Sequence, residues 1–350
     1  MAVSPFDHPF LSGLFGDKEI EALLGIDAEI DAMLQFEIAL AEAEAEAGLI
    51  PAEAASAIAK ALAGFKPDTA ALRSGMARDG VAVPELVRQM REKVGAPHAD
   101  RLHFGATSQD VIDTAFVLRL KPVLDLFDRR LAELTERFDQ LDKRFGKNPL
   151  MGRTRMQAAI EISAGARIRS WRDPLVRHRA RLEAVRPSLL TIQFGGAAGT
   201  LDKLGGKGEA IRAAMAQRLG LVDVPQWQSQ RDGMAEFASF LSLLTGSLAK
   251  FGQDVALLAQ AGDEIALSGG GSSSAMPHKQ NPVAAETLVT LGRFNATQLS
   301  GMHHALIHEQ ERSGSAWSLE WLILPQMIAA AGSALRLAAA LTGRIDRVGA

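Results

Sequence analysis

Met234-Ala235-Glu236-Phe237-Ala238-Ser239-Phe240-Leu241 opens the stretch whose reading decides the fold. From it, Met234, Phe237, Leu241, Leu244, Leu248, Phe251, Val255 and Leu258 follow one another at spacings that alternate strictly between three and four. That pattern keeps one apolar seam facing a partner helix over many turns. Leu120, Leu124, Phe127, Leu131, Leu134, Phe138 and Leu141 repeat it. Further long helices read from about 161 to 185, 283 to 307 and 319 to 341, with faces rich in Ala and Leu. No stretch sustains an apolar–polar alternation, so strands are expected to be few. The fold class is all-α, a long-helix bundle.

Residues 1–100 read differently, with helices punctuated by Gly25, Gly48-Leu49-Ile50-Pro51, Lys66-Pro67-Asp68 and Gly95-Ala96-Pro97. A small helical amino-terminal domain is expected there, and the bundle over 101–350. Pro122 falls inside a helical pattern that continues past it, so it is expected to kink the helix rather than end it. Rods of about 30 residues are about 45 Å long. A 350-residue monomer does not need them, and apolar surface left uncovered on such rods is normally buried by identical copies. A homo-oligomer is expected.

The composition excludes several classes. Lys and Arg total 38 against 41 Asp and Glu, a net charge of −3, with no basic excess of the kind nucleic acid or an anionic membrane would attract. With no cysteine, disulfides, iron–sulfur clusters and thiolate zinc sites are excluded. No apolar run is expected to reach the ~18–20 residues that span a bilayer, and Met1 to Phe10 lacks the features of a secretory signal. A cytoplasmic location is the economical expectation.

Three polar, glycine-punctuated segments interrupt the helical text. In Leu102-His103-Phe104-Gly105-Ala106-Thr107-Ser108-Gln109-Asp110, Thr107 and Ser108 suit N-cap positions. The same amides and hydroxyls also make an anion site, and the segment alone does not choose between cap and ligand. Met151-Gly152-Arg153-Thr154-Arg155-Met156-Gln157 reads as a second helix start. Its arginines suit bidentate capture of a carboxylate, a solvated helix end being the bland alternative. The third runs from Ser268 through Gly269-Gly270-Gly271-Ser272-Ser273-Ser274 to Met276-Pro277-His278-Lys279-Gln280-Asn281-Pro282. It lacks the Gly-x4-Gly-Lys-Ser/Thr pattern of a P-loop, and a mobile active-site lid fits it better than a plain linker. His304 and His308, four apart in a helical reading, have no obvious third ligand, so no metal site is expected.

Taken in order, these segments resemble the three signature regions of the fumarase/aspartase superfamily. Gly271 to Pro282 is similar to its Gly-Ser-Ser-x-Met-Pro-x-Lys-x-Asn-Pro element, and the other two match Gly105–Asp110 and Gly152–Gln157. The resemblance extends to about residue 330 and implies a cofactor-free enzyme acting on a small carboxylate. It further implies a homotetramer whose sites are shared among three chains. Ser273 is then the carbon acid/base, with Ser272 or Ser274 as the alternatives for that role. Thr107, Ser108, Thr154, Arg155, Gln157, Lys279, Asn281 and Arg312 are then the substrate-binding residues. Members usually continue for about another hundred residues as a carboxy-terminal helical domain, which is missing from this sequence.

Finer features narrow the resemblance. Gln193-Phe194-Gly195-Gly196-Ala197-Ala198-Gly199-Thr200 and Glu311-Arg312-Ser313-Gly314-Ser315-Ala316-Trp317 resemble the bacterial carboxymuconate lactonizing enzymes of the protocatechuate branch of the β-ketoadipate pathway. Related lyases usually carry a histidine, as acid/base for the heteroatom, where this chain has Arg155. A lactonizing enzyme adds a carboxylate of its own tricarboxylate substrate. With a reference pKa of ~4, that nucleophile is already ionised and needs no base. Arg155 is then free to hold a carboxylate. The alternatives are an adenylosuccinate- or argininosuccinate-type lyase releasing fumarate, and a non-catalytic helical oligomer such as the eye-lens protein of this fold.

Overall fold

The computed structural model describes residues 4–272, 276 and 280–350. Ser273 and Lys279, two of the expected site residues, lie outside the described residues. The helices are α1 (Ser12–Phe15), α2 (Lys18–Leu24), α3 (Ile26–Glu46), α4 (Ala52–Leu62), α5 (Thr69–Asp79) and α6 (Val83–Val94), followed by α7 (Ser108–Phe145) and α8 (Ala164–Leu189). After these come α9 (Gly208–Leu219), α10 (Asp232–Ala261), α11 (Val283–His304) and α12 (Gly314–Thr342). Among the described residues six short strands pair into three antiparallel ladders: β1 (Pro149–Thr154) with β2 (Gln157–Ser163), β3 (Ile265–Leu267) with β6 (Ile345–Val348), and β4 (Gly271–Ser272) with β5 (Gln280–Asn281). The architecture is the all-α bundle, with strands confined to its connections.

Helices α7, α8, α10, α11 and α12 form the bundle. Every residue of the two apolar seams is buried, from Met234 to Leu258 on α10 and from Leu120 to Leu141 on α7. Helix α7 continues unbroken through Pro122 for 38 residues. Phe138, Trp171 and Phe251 meet at 5.0–6.1 Å between ring centres and join α7, α8 and α10. Ion pairs Arg172–Asp139, Arg179–Asp128 and Arg186–Asp125 fall in antiparallel order along α7 and α8. The amino-terminal helices share the bundle's hydrophobic core, with α3 packed against α7 and α9.

Helix α12 departs from the expectation that no run has bilayer length. It is long and apolar enough to cross a membrane, but 67% of its most apolar window is buried inside the protein. A helix surrounded by other helices has little polar face to keep, so its composition is that of a core element.

Two buried carboxylates on α3, Glu37 and Glu44, are seven residues apart and face the interior. Neither oxygen of Glu44 has a hydrogen-bond partner among the described residues. Burial, with Glu37 nearby, pushes the Glu44 carboxyl up to about 9. A folded-state pKa above the unfolded one costs stability as pH rises from the unfolded value to the folded one. Glu44→Gln is therefore expected to melt close to wild type near pH 4 and progressively above it up to about pH 9. Melting temperatures measured across that range check this, and a gap that does not widen with pH refutes it.

Candidate active site

The bundle's chain path sorts the described ones among the expected site residues into two groups at opposite ends. The first group gathers where α7, α10 and α12 begin. Thr107 is the N-cap of α7, in extended conformation, and its N–H donates to Asp110 Oδ2 at 3.0 Å. Of the two N-cap candidates in the sequence, Thr107 is the cap and Ser108 is the first helical residue, while Asp110 closes a capping box. Asp110 is fully buried and also accepts from Gly195 N and Gly196 N, both at 2.9 Å, and from Gln193 Nε2 at 3.0 Å. Burial raises its pKa to about 6 even against these donated bonds. Asp110 thus clasps the Gly195-Gly196 loop onto the start of α7. The fit is close: Gly196 has a φ of +67°, and a Cβ there would lie 2.9 Å from the carbonyl oxygen of Gly105.

Beneath this loop lies a buried charge cluster. Arg231, at the N-cap of α10, reaches Asp113 on α7 with Nη1 at 2.6 Å and Nη2 at 3.2 Å. It reaches Glu320 on α12 with Nε at 2.9 Å and Nη2 at 2.5 Å. All three are at most 5% exposed, and Trp317 Nε1 donates to Asp113 Oδ1 at 3.0 Å. His308 is enclosed next to them, with Nε2 3.3 Å from Glu320 Oε1. Burial pushes the Glu320 carboxyl up, but His308 and Arg231 outweigh it and hold the group below its usual range. Arg312 stands at the outer edge of the cluster. Its Nε donates to Gln109 Oε1 at 3.1 Å and its Nη2 to Ala197 O at 3.0 Å, while the side chain remains exposed.

The second group sits at the far end of the bundle. Met151–Gln157 does not open a helix, which corrects the sequence reading. It forms the turn of the β1–β2 hairpin, with Thr154 paired to Gln157 and with Arg155 and Met156 at positive φ of 48° and 67°. Two successive left-handed residues suit a tight two-residue hairpin turn. Helix α8 starts only at Ala164, where Ser163 Oγ accepts from Ala166 N at 3.2 Å. Thr154, Arg155 and Gln157 are all exposed at the tip. Arg153 pairs with Glu264 after α10, which ties the hairpin to that end. Asn281 lies there too, in β5 opposite Gly271 of β4, so the described part of the glycine-serine segment is a short ladder.

The helical reading of His304 and His308 is also corrected. Helix α11 ends at His304, and His308 turns inward in the following loop. Among the described residues no group of three or more His, Asp or Glu side chains is placed to hold a metal ion.

The sequence reading passed over Gln109, Asp110, Asp113, Arg231 and Glu320 as site residues. Gln109 and Asp110 stood inside a quoted segment. Asp113 follows Gln109 by four residues on the same face of α7, a signal that was available. Arg231 and Glu320 gave none, because only the fold brings them to Asp113.

Comparison with known proteins points to one family from several directions. The sequence pattern of a family described as Lyase matches residues 16–297. A 3-carboxy-cis,cis-muconate cycloisomerase of Pseudomonas aeruginosa is 40% identical over 92% of this chain and 72% of its own length. The crystal structure of a 3-carboxy-cis,cis-muconate lactonizing enzyme from Pseudomonas putida superposes with a TM-score of 0.91 at 38% identity, covering 97% of this chain and 77% of that one. An N-acetyl-S-(2-succino)cysteine lyase of Enterococcus italicus is 32% identical over 95% of this chain and 74% of its own. With the helix bundle, the three ordered segments and these matches together, the chain belongs to the lyase family of the fumarase/aspartase superfamily.

Proposed function

We propose that this chain is a 3-carboxy-cis,cis-muconate cycloisomerase. The observation that carries the reading is its likeness, over more than nine-tenths of its length, to cycloisomerases at 36–40% identity. In this reaction one substrate carboxylate closes onto the conjugated diene, forming a C–O bond. The π pair moves to the carbon beside another carboxylate, which then takes up one proton. Nucleophile and electrophile are parts of one molecule, so the step is redox-neutral and calls for no deprotonating base. An arginine at position 155 is consistent with that chemistry. The developing enediolate needs fixed donors. Lys279, Asn281 and the amides and hydroxyls of Thr107 and Ser108 are assigned that role, Ser273 the proton transfer, and Thr154, Arg155, Gln157 and Arg312 the carboxylates.

The distance between the two groups bears on how such a site is assembled. Helix α7 has 38 residues and separates Thr107 from the hairpin by about 57 Å at 1.5 Å per residue. No seven-carbon substrate bridges that gap. The reading therefore requires a homo-oligomer, a tetramer by family resemblance, in which one copy brings its α7 start to the hairpin and loop of other copies.

Following loss of diene absorbance with 3-carboxy-cis,cis-muconate tests the activity, and no loss refutes it. Fumarate released from adenylosuccinate or argininosuccinate would favour elimination instead. Shared sites are tested by mixing. Arg312→Ala and Ser273→Ala chains, each strongly impaired alone at substrate well below KM, are expected after co-assembly to regain about a quarter of wild-type activity if Arg312 and Ser273 of each site come from different copies. No recovery in a verified mixed oligomer rules out this division between copies.

A further inference from the structure

Gln109 is fully buried, yet its side chain lies between the charge cluster and the exposed Arg312. Its Nε2 donates to Asp113 Oδ2 at 3.2 Å and to Gln228 O at 2.8 Å. Its Oε1 accepts from Arg312 Nε at 3.1 Å. The amide cannot turn over. A carboxylate and a carbonyl both demand donors on one side, and a guanidinium demands an acceptor on the other. The polarity then alternates without a break from the interior outward: Glu320 anion, Arg231 cation, Asp113 anion, Gln109 amide dipole, Arg312 cation. Each member fixes the orientation of the next.

Arg312 gains a defined direction from this chain. With Nε on Gln109 and Nη2 on Ala197 O, two of its three nitrogens are committed to the protein, and Nη1 is left to meet an anion at the exposed edge. A free arginine side chain has a large rotamer entropy to lose on binding. An anchored guanidinium has already lost much of that freedom before ligand arrives.

We infer that Gln109 is a positioning residue that presents Arg312 to a substrate carboxylate. This rests on the reading that Arg312 binds a carboxylate. Gln109 touches no substrate and acts through Arg312 alone. A carboxylate that does not react is held alike in the ground and transition states, so losing the anchor raises KM more than it lowers kcat.

A double-mutant cycle tests the inference. Gln109→Met keeps the length of the side chain and removes both ends of the amide. It is expected to raise KM about 10- to 100-fold, the effect of one hydrogen bond to a charged group, with kcat changed less. In an Arg312→Ala background the same substitution is expected to change KM by less than about twofold. Additive effects overturn the inference, because a purely structural role would act in either background. Gln109→Asn is the second variant. It keeps donors near Asp113, is too short to reach Arg312, and is expected to raise KM as Gln109→Met does. The cycle is read in parallel from the Kd of tricarballylate, a saturated tricarboxylate, by calorimetry. If wild type binds tricarballylate with a non-additive cycle but does not turn over 3-carboxy-cis,cis-muconate, the activity reading fails and the positioning role stands. Turnover with an additive cycle, or no tricarballylate binding at all, overturns the positioning role.

Discussion

Arg231→Met is expected to lower stability by about 3–5 kcal/mol, because it leaves two carboxylates in the protein interior without their cation. Asp113 and Glu320 are each 5% exposed, so water cannot take over the role of the guanidinium. The loss is not confined to one contact. Arg231 joins the starts of α7, α10 and α12, and it stacks on Trp227 at 4.7 Å, so the three helix ends lose a common anchor. The pH dependence separates charge from packing. In wild type, Glu320 sits below its usual pKa, so its contribution is present above the ordinary carboxylate range and lost as pH falls from there through the lowered folded-state pKa. In the variant, burial is opposed at Glu320 by His308 alone, and protonation relieves the buried charge. The deficit should therefore shrink on acidification from pH 7 to pH 5. Urea unfolding midpoints at the two pH values measure it, and a deficit independent of pH would assign the loss to packing.

Ser273→Ala is expected to lower kcat by about 10²- to 10⁴-fold, the usual contribution of a positioned acid/base group. The reaction ends with a proton delivered to carbon, and an alanine has none to give. A serine hydroxyl ionises far above neutral pH, so the role demands strong local stabilisation, for which Lys279 is the nearest cation in sequence. Ser272→Ala and Ser274→Ala are expected to keep most of the activity. The diene assay measures all three variants, with gel filtration checking that each keeps the wild-type oligomer. A fully active Ser273→Ala would remove this residue from the mechanism and pass the role to a neighbour.

The candidate site was legible in unequal parts. Thr107 and Asp110 were readable as a cap, since capping is local and depends on residues three apart. The helical reading of Met151–Gln157 failed for a physical reason. Gln157-Ala158-Ala159-Ile160-Glu161-Ile162 has good helix formers, but the left-handed turn at Arg155 and Met156 pairs them with β1 instead. Local preference is worth tenths of a kcal/mol per residue, and the hairpin's contacts outweigh it. His308 went the same way: four residues from His304 in sequence, but separated from it by the end of α11 and drawn in beside Glu320.

The sequence by itself determined the bundle, because two seams with alternating spacings of three and four leave no other arrangement that buries them, and it determined the family through three ordered segments. Tertiary structure decided where those segments lie. A rigid 38-residue helix sets Thr107 and Arg155 at opposite ends of one chain. Folding also assembled the Asp113–Arg231–Glu320 cluster, whose members are up to 207 residues apart in sequence (Asp113 to Glu320). A buried charge finds its partner only when helices from distant parts of the chain converge, and no local pattern records that meeting.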